Sequence, residues 1–271
     1  MLTYEEFNEN SNGKDYIHLY QEEGDVGGGK ISIEDIDRIN QYDNTDKVMI
    51  SGLRQDTFEY FVKKYGHKIK YISFCGNKLV EDFSALSSLT KMRCISFFHN
   101  QRVSKLWDMS KNHHLEGLSI EDFTRLHSLD GVQSAPKLKH LHFGDKVWRT
   151  SILTDLTPLV DTKLVSFTFR GKKIVKNDID IYTKMPTLKF LSCPYNFYTT
   201  EQLAQIVAFR PDISGNALVP YIKLEQKLPD GKDVLICGKG KPFLNSKKDA
   251  AKIEAYVNQF NELVENYKSN K

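Results

Sequence analysis

Short runs in which apolar residues alternate with polar ones return along the middle of the chain at nearly fixed intervals. Seven of them align: Lys47–Gly52, Ile69–Phe74, Met92–Phe97, Leu115–Ile120, Leu138–Phe143, Leu164–Phe169 and Leu188–Cys193. Their first residues stand 22, 23, 23, 23, 26 and 24 apart. The fourth position is always large and apolar: Ile50, Ile72, Ile95, Leu118, Leu141, Phe167 and Leu191. The sixth is Gly52, Phe74, Phe97, Ile120, Phe143, Phe169 and Cys193. A period of two marks a strand with one buried face, so each interval predicts one strand with positions one, four and six inward. Position nine is Asn77, Asn100 and Asn196 in three repeats, where a side-chain amide can satisfy the backbone of the turn.

A Leu-x-x-Leu-x-Leu-like unit with this period is the mark of a leucine-rich-repeat solenoid, which stacks its strands into one parallel sheet. The expected class is α/β: a right-handed leucine-rich-repeat solenoid with a parallel concave sheet, short 3₁₀ or α returns on the convex side, and caps at both ends. The returns carry their own apolar marks, such as Phe83, Leu86 and Leu89; Leu126, Leu129 and Val132; and Leu153, Leu156 and Leu159. That spacing suits brief 3₁₀ turns. Asp56–Tyr65 and Thr200–Phe209 read as full helices, the second capped by Thr199 or Thr200.

Residues 1–46 read as an N-terminal cap, 47–211 as about seven repeats and 212–271 as a C-terminal cap. In the first, Tyr16–Tyr20 is a strand and Ser32–Tyr42 a helix, with Ser32 and Asp35 as a capping box and Ile33, Ile36 and Ile39 as its stripe. In the last, Ala217–Leu224 and Asp233–Cys237 form strands joined through Pro229-Asp230-Gly231. A long helix then runs from Ser246 to Tyr267, started by Ser246 and Asp249, with Ile253, Tyr256, Val257, Phe260, Leu263, Val264 and Tyr267 along one stripe.

The run Ile152-Leu-Thr-Asp-Leu-Thr-Pro-Leu159, closed by Leu164, resembles the return segment of bacterial internalin-type leucine-rich repeats. Leu126-His-Ser-Leu-Asp-Gly-Val132 with Leu138 is similar. The resemblance covers about residues 47–211 and implies the repeat fold and protein binding; internalins do this outside the cell, on host proteins. This chain departs from them in showing neither a basic stretch leading into an apolar run at its start nor a wall-sorting pattern at its end. No run approaches the roughly 20 apolar residues of a membrane span, so cytoplasmic residence is expected.

Composition alters this picture little. Apolar residues make up 40% of the chain, enough for a core, and the mean hydropathy is -0.46. Cys75, Cys94, Cys193 and Cys237 lack metal or redox spacing and are expected as free thiols. The net charge of +3 is uneven: twelve acids against three bases in residues 1–46 leave +12 for the rest. Residues 137–189 carry eleven Lys or Arg against five Asp, the basis of an alternative nucleic-acid-binding reading.

Three features invite an enzymatic reading. Gly24–Lys30 nearly matches a phosphate-binding loop, but Ile31 stands where the motif needs a hydroxyl. Gly238-Lys-Gly240 follows a strand yet lacks the third glycine of a dinucleotide fingerprint. His140 and His142 share one strand face without a third metal ligand, and the fifth-position serines beside them read as a polar ladder. Neither cofactor nor metal is expected. The exposed columns instead mix aromatics with bases, as hot spots do. Tyr71, Arg93, Lys139, His140, His142, Phe190 and Tyr195 are the expected contacts for a protein partner bearing an acidic patch.

Overall fold

A computed structural model of the chain describes residues 2–9, 15–21, 28–43 and 46–270. The protein is mixed α/β, and its largest sheet is parallel, with eight strands following one another in chain order. The chain divides into two compact units, Met1–Leu164 with Arg170–Asp178 and Val165–Phe169 with Ile179–Lys271.

The first unit opens with helix α1 (Tyr4–Glu9), then strand β1 (Ile17–Leu19) and helix α2 (Ile33–Asp37). Strands β2 (Lys47–Ser51), β3 (Tyr71–Cys75), β4 (Cys94–Asn100), β5 (Gly117–Phe123) and β6 (His140–Gly144) follow. Each pairs in parallel with the next, from Ile17 on Val48 to Gly117 on His140. The expected alternation holds along β3 to β6: Ile72, Phe74, Ile95, Phe97, Leu118, Ile120, Leu141 and Phe143 are all buried. The first repeat is displaced, however. Lys47 pairs with Tyr71, so Val48 and Ile50 fill the inward pair assigned to Ile50 and Gly52. A two-residue slip keeps every side chain on its face, and the apolar pattern alone is therefore blind to it. Ile17 and Leu19 of β1 add an eighth inward pair, both buried.

Behind the sheet, α3 (Gln55–Tyr65) buries Phe58, Phe61 and Val62, and later returns shorten to 3₁₀ turns at Ser84–Ser88, Val132–Ser134 and Thr157–Leu159. All nine apolar return residues named above are buried. The Phe74 and Phe97 rings stack at 5.3 Å, and Phe83 lies 4.5 Å from Phe97. The amides of Asn77 and Asn100 bridge successive turns: Asn77 donates to the Ile50 carbonyl, and Asn100 donates to the carbonyls of Asn77 and Val80. In α2 the Ser32–Asp35 capping box is present, but the helix passes into a 3₁₀ turn after Asp37 and Ile33 is exposed. Strand β7 (Ile152–Leu153) pairs with β9 (Lys173–Ile174), while β8 (Ser166–Arg170) lies between them in the chain.

In the second unit β8 pairs in parallel with β10 (Phe190–Ser192). Helix α4 (Thr200–Phe209) starts at Thr199, whose hydroxyl accepts from the Gln202 amide while Gln202 caps in return. Strands β11 (Tyr221–Lys223), β12 (Val234–Ile236) and β13 (Phe243–Leu244) form an antiparallel sheet. Gly231 turns the first hairpin with a positive φ of 83°, and the Gly238 to Gly240 stretch makes the turn into β13. Helix α5 (Ala250–Ser269) packs on α4, burying Phe260 and Val264. It begins four residues later than expected. Asp249 stands at its N-cap without a side-chain cap bond; in the turn ahead of it Asn245 accepts from the Lys247 and Lys248 amides, while Ser246 donates to Asp233. Asn196 is exposed and does not repeat the amide ladder.

Candidate functional site

Strand parity turns the residues between the inward pairs to the opposite face of the sheet. Across β2 to β6 that outward face carries Lys47, Tyr71, Cys94, Gly117 and His140 in one row, and Met49, Ser73, Ser96, Ser119 and His142 in the next. A third row runs Ser51, Cys75, Phe98, Glu121 and Gly144. Rows of this kind are open unless something covers them. Here α1 does.

Phe7 is fully buried against Tyr71, ring centres 6.1 Å apart, in a cluster with Tyr16, Met49 and Cys94. The Tyr71 hydroxyl accepts from the Leu2 amide at 2.9 Å and donates to the Leu2 carbonyl. Tyr4 lies flat on His140, centroids 5.1 Å apart and planes 12° from parallel. The ring fits there because Gly117 has no side chain: a Cβ at that position would stand 2.1 Å from Tyr4 Cδ2. Glu5 comes within 3.6 Å of His140 Nδ1. Thr3 and Glu6 cap the helix reciprocally, Thr3 N–H donating to the Glu6 carboxylate and Glu6 N–H to the Thr3 hydroxyl.

The seven expected contact residues therefore meet different fates. Tyr71 points outward as expected but is 2% exposed beneath α1. His140 is half-buried by Tyr4, and His142 is buried, with Nε2 facing Glu121 at 3.7 Å. Burial away from solvent, with Arg170 and Lys146 adding positive charge, lowers the His142 pKa from 6.5 to about 4. Burial also lowers that of His140 and raises that of the Glu121 carboxyl. Arg93 is held by Glu116 at 2.8 Å, and Lys70 in the same column by Asp46 at 2.9 Å, so acids of neighbouring repeats neutralise much of the basic column. Lys139 lies beside His140, disfavouring its protonation. Phe190 and Tyr195 belong to the second unit; Phe190 is 40% exposed on β10, and the Tyr195 carbonyl accepts from Gly238 N–H.

A second feature of this face centres on Trp148, which lies outside the strand columns. Of the two tryptophans, Trp107 is buried but Trp148 is 45% exposed, 4.3 Å from the His99 ring and stacked over Phe98 at 6.3 Å. Lys146 Nζ stands 5.6 Å from the Phe98 ring centre and 3.9 Å from Glu121. The ridge is held by backbone geometry. Asp122, in the left-handed region at φ 57°, accepts from the amides of Lys146, Val147 and Trp148. His99 is left-handed as well, at φ 61°. One signal was legible in the sequence. Val147 and Trp148 are large apolar neighbours just beyond β6, where the repeat should already be turning.

Among the described residues no group of three or more His, Cys, Asp or Glu is placed to hold a metal ion. Most of the Gly24–Lys30 loop lies outside the described residues; within them Gly29 packs against Leu79 and Arg54. No described helix is long and apolar enough to cross a membrane. No protein-family model and no curated protein matches this sequence.

Proposed function

We propose that the chain is a leucine-rich-repeat solenoid of the internalin-like kind that binds a protein partner, without catalysis, on the concave outward face of its parallel sheet. The observation that carries this reading is the ridge of Phe98, His99 and Trp148, in which an exposed indole is held against two half-buried rings on that face. Aromatic clusters of this sort dominate interface energetics, since they offer large area at little ordering cost. Lys146 lies at the Phe98 ring and Arg149 follows Trp148 in the chain, which favours a partner with an acidic patch and an association weakened by salt. Four unpaired cysteines, three of them buried, support a cytoplasmic setting.

The test is affinity capture from the native cell extract, comparing the wild-type chain with Phe98→Ser plus Trp148→Ser. Loss of specific captured proteins from the variant supports the reading, provided its circular dichroism is unchanged. Identical recovery by both baits ends it.

A further inference from the structure

The patch that α1 covers is built like a seat. Gly117 opens the floor for one ring, Tyr71 hydrogen-bonds both backbone groups of Leu2, and His140 supplies a flat surface. Its present occupant is only six residues long, well short of the roughly 12–15 that make a helix marginally stable alone. Its helical form therefore depends on the seat, and its hold rests chiefly on Tyr4 and Phe7, which point the same way at i, i+3 spacing. Neither the cap expected of a repeat array, which closes its end, nor the amide ladder requires a helix across the middle of the outward face.

We propose that α1 is an internal stand-in for a partner: the seat of Tyr71, Cys94, Gly117 and His140 takes an amphipathic helix presenting two aromatic side chains one turn apart, and Leu2–Glu9 must leave before such a helix binds. This rests on the reading of the outward face as a binding surface and adds the class of partner and its gating. α1 then sets a threshold, since only a helix that outcompetes a tethered segment gains access.

The probe is a fluorescein-labelled peptide with the sequence of residues 2–9, followed by anisotropy. A full chain carrying Tyr4→Ser and Phe7→Ser should bind it about tenfold tighter than wild type, whose seat is filled. Adding Gly117→Ala to that chain should remove the gain. Equal affinity of the wild-type and released chains would overturn the proposal. Should the released chain fold poorly, Gly117→Ala alone decides by amide exchange: exchange in residues 2–9 should quicken about tenfold, and unchanged exchange sinks the idea. The peptide's anchors, Tyr4 and Phe7, rest on His140 and on Tyr71 with Cys94, a different set of residues from Phe98 and Trp148. Failure here with a persisting Phe98→Ser/Trp148→Ser capture difference removes this inference alone; success here without that difference removes the ridge and keeps the seat.

Discussion

His142 shows how one side chain changes meaning between sequence and structure. Beside His140 on an alternating strand it reads as an exposed contact, yet parity says only which face it takes, not what lies on that face. Covered, it is neutral in the folded chain down to pH of about 4, whereas the unfolded chain takes up the proton near 6.5. Between those values the unfolded state binds more protons, so stability falls as pH drops through the window, by up to about 3 kcal/mol. His140 and His99, also depressed by burial, act in the same direction. Glu121, whose carboxyl is raised, returns part of the loss at the acidic end because the folded chain protonates it first. The His142→Gln chain should accordingly lose less Tm than wild type between pH 7 and pH 4.5 in thermal melts. Equal losses would mean that His142 is already solvated.

At the scale of elements, the strands and returns were legible because their cores repeat, and the amide ladder was legible where the ninth position kept its asparagine. Asn100 makes the case. It donates to two carbonyls and its oxygen accepts from the Arg102 and Val103 amides, three of these four bonds being buried. Asn100→Ala leaves those four backbone groups unpaired and should destabilise the chain by roughly 3 kcal/mol in urea unfolding. A loss below about 1 kcal/mol would show that water replaces the amide. What failed was register in the first repeat, because Lys47–Gly52 lacks a strong sixth-position residue and Lys47 cannot anchor a column. The start of α5 was displaced for a similar reason: Ser246 and Asp249 have the right spacing, but Asp233 competes for the serine.

Over the whole molecule, charge looked like a route to nucleic acid, with a basic body set against acidic residues 1–46. The structure pairs some of the bases with acids of the preceding or following segment: Lys70 with Asp46, Arg93 with Glu116, Lys64 with Asp37, Lys146 with Glu121, and in the second unit Lys189 with Asp212. A paired base releases few counterions on meeting phosphate. The chain should therefore wash from a heparin column at or below physiological ionic strength, about 0.15 M. Retention well above that would restore the nucleic-acid reading.

By itself the sequence determined the parallel strand series, its inward residues and the kind of return between strands, since burying one face of every strand forces the same period again and again. It also determined that the outward rows hold aromatic, histidine and basic residues. Only the tertiary structure decided which of those are available. Tyr71, Cys94 and Gly117 lie under a helix more than sixty residues away in the chain, whereas Phe98, His99 and Trp148 come together through two left-handed turns. Contacts that distant are set by packing between segments, and no local period carries them.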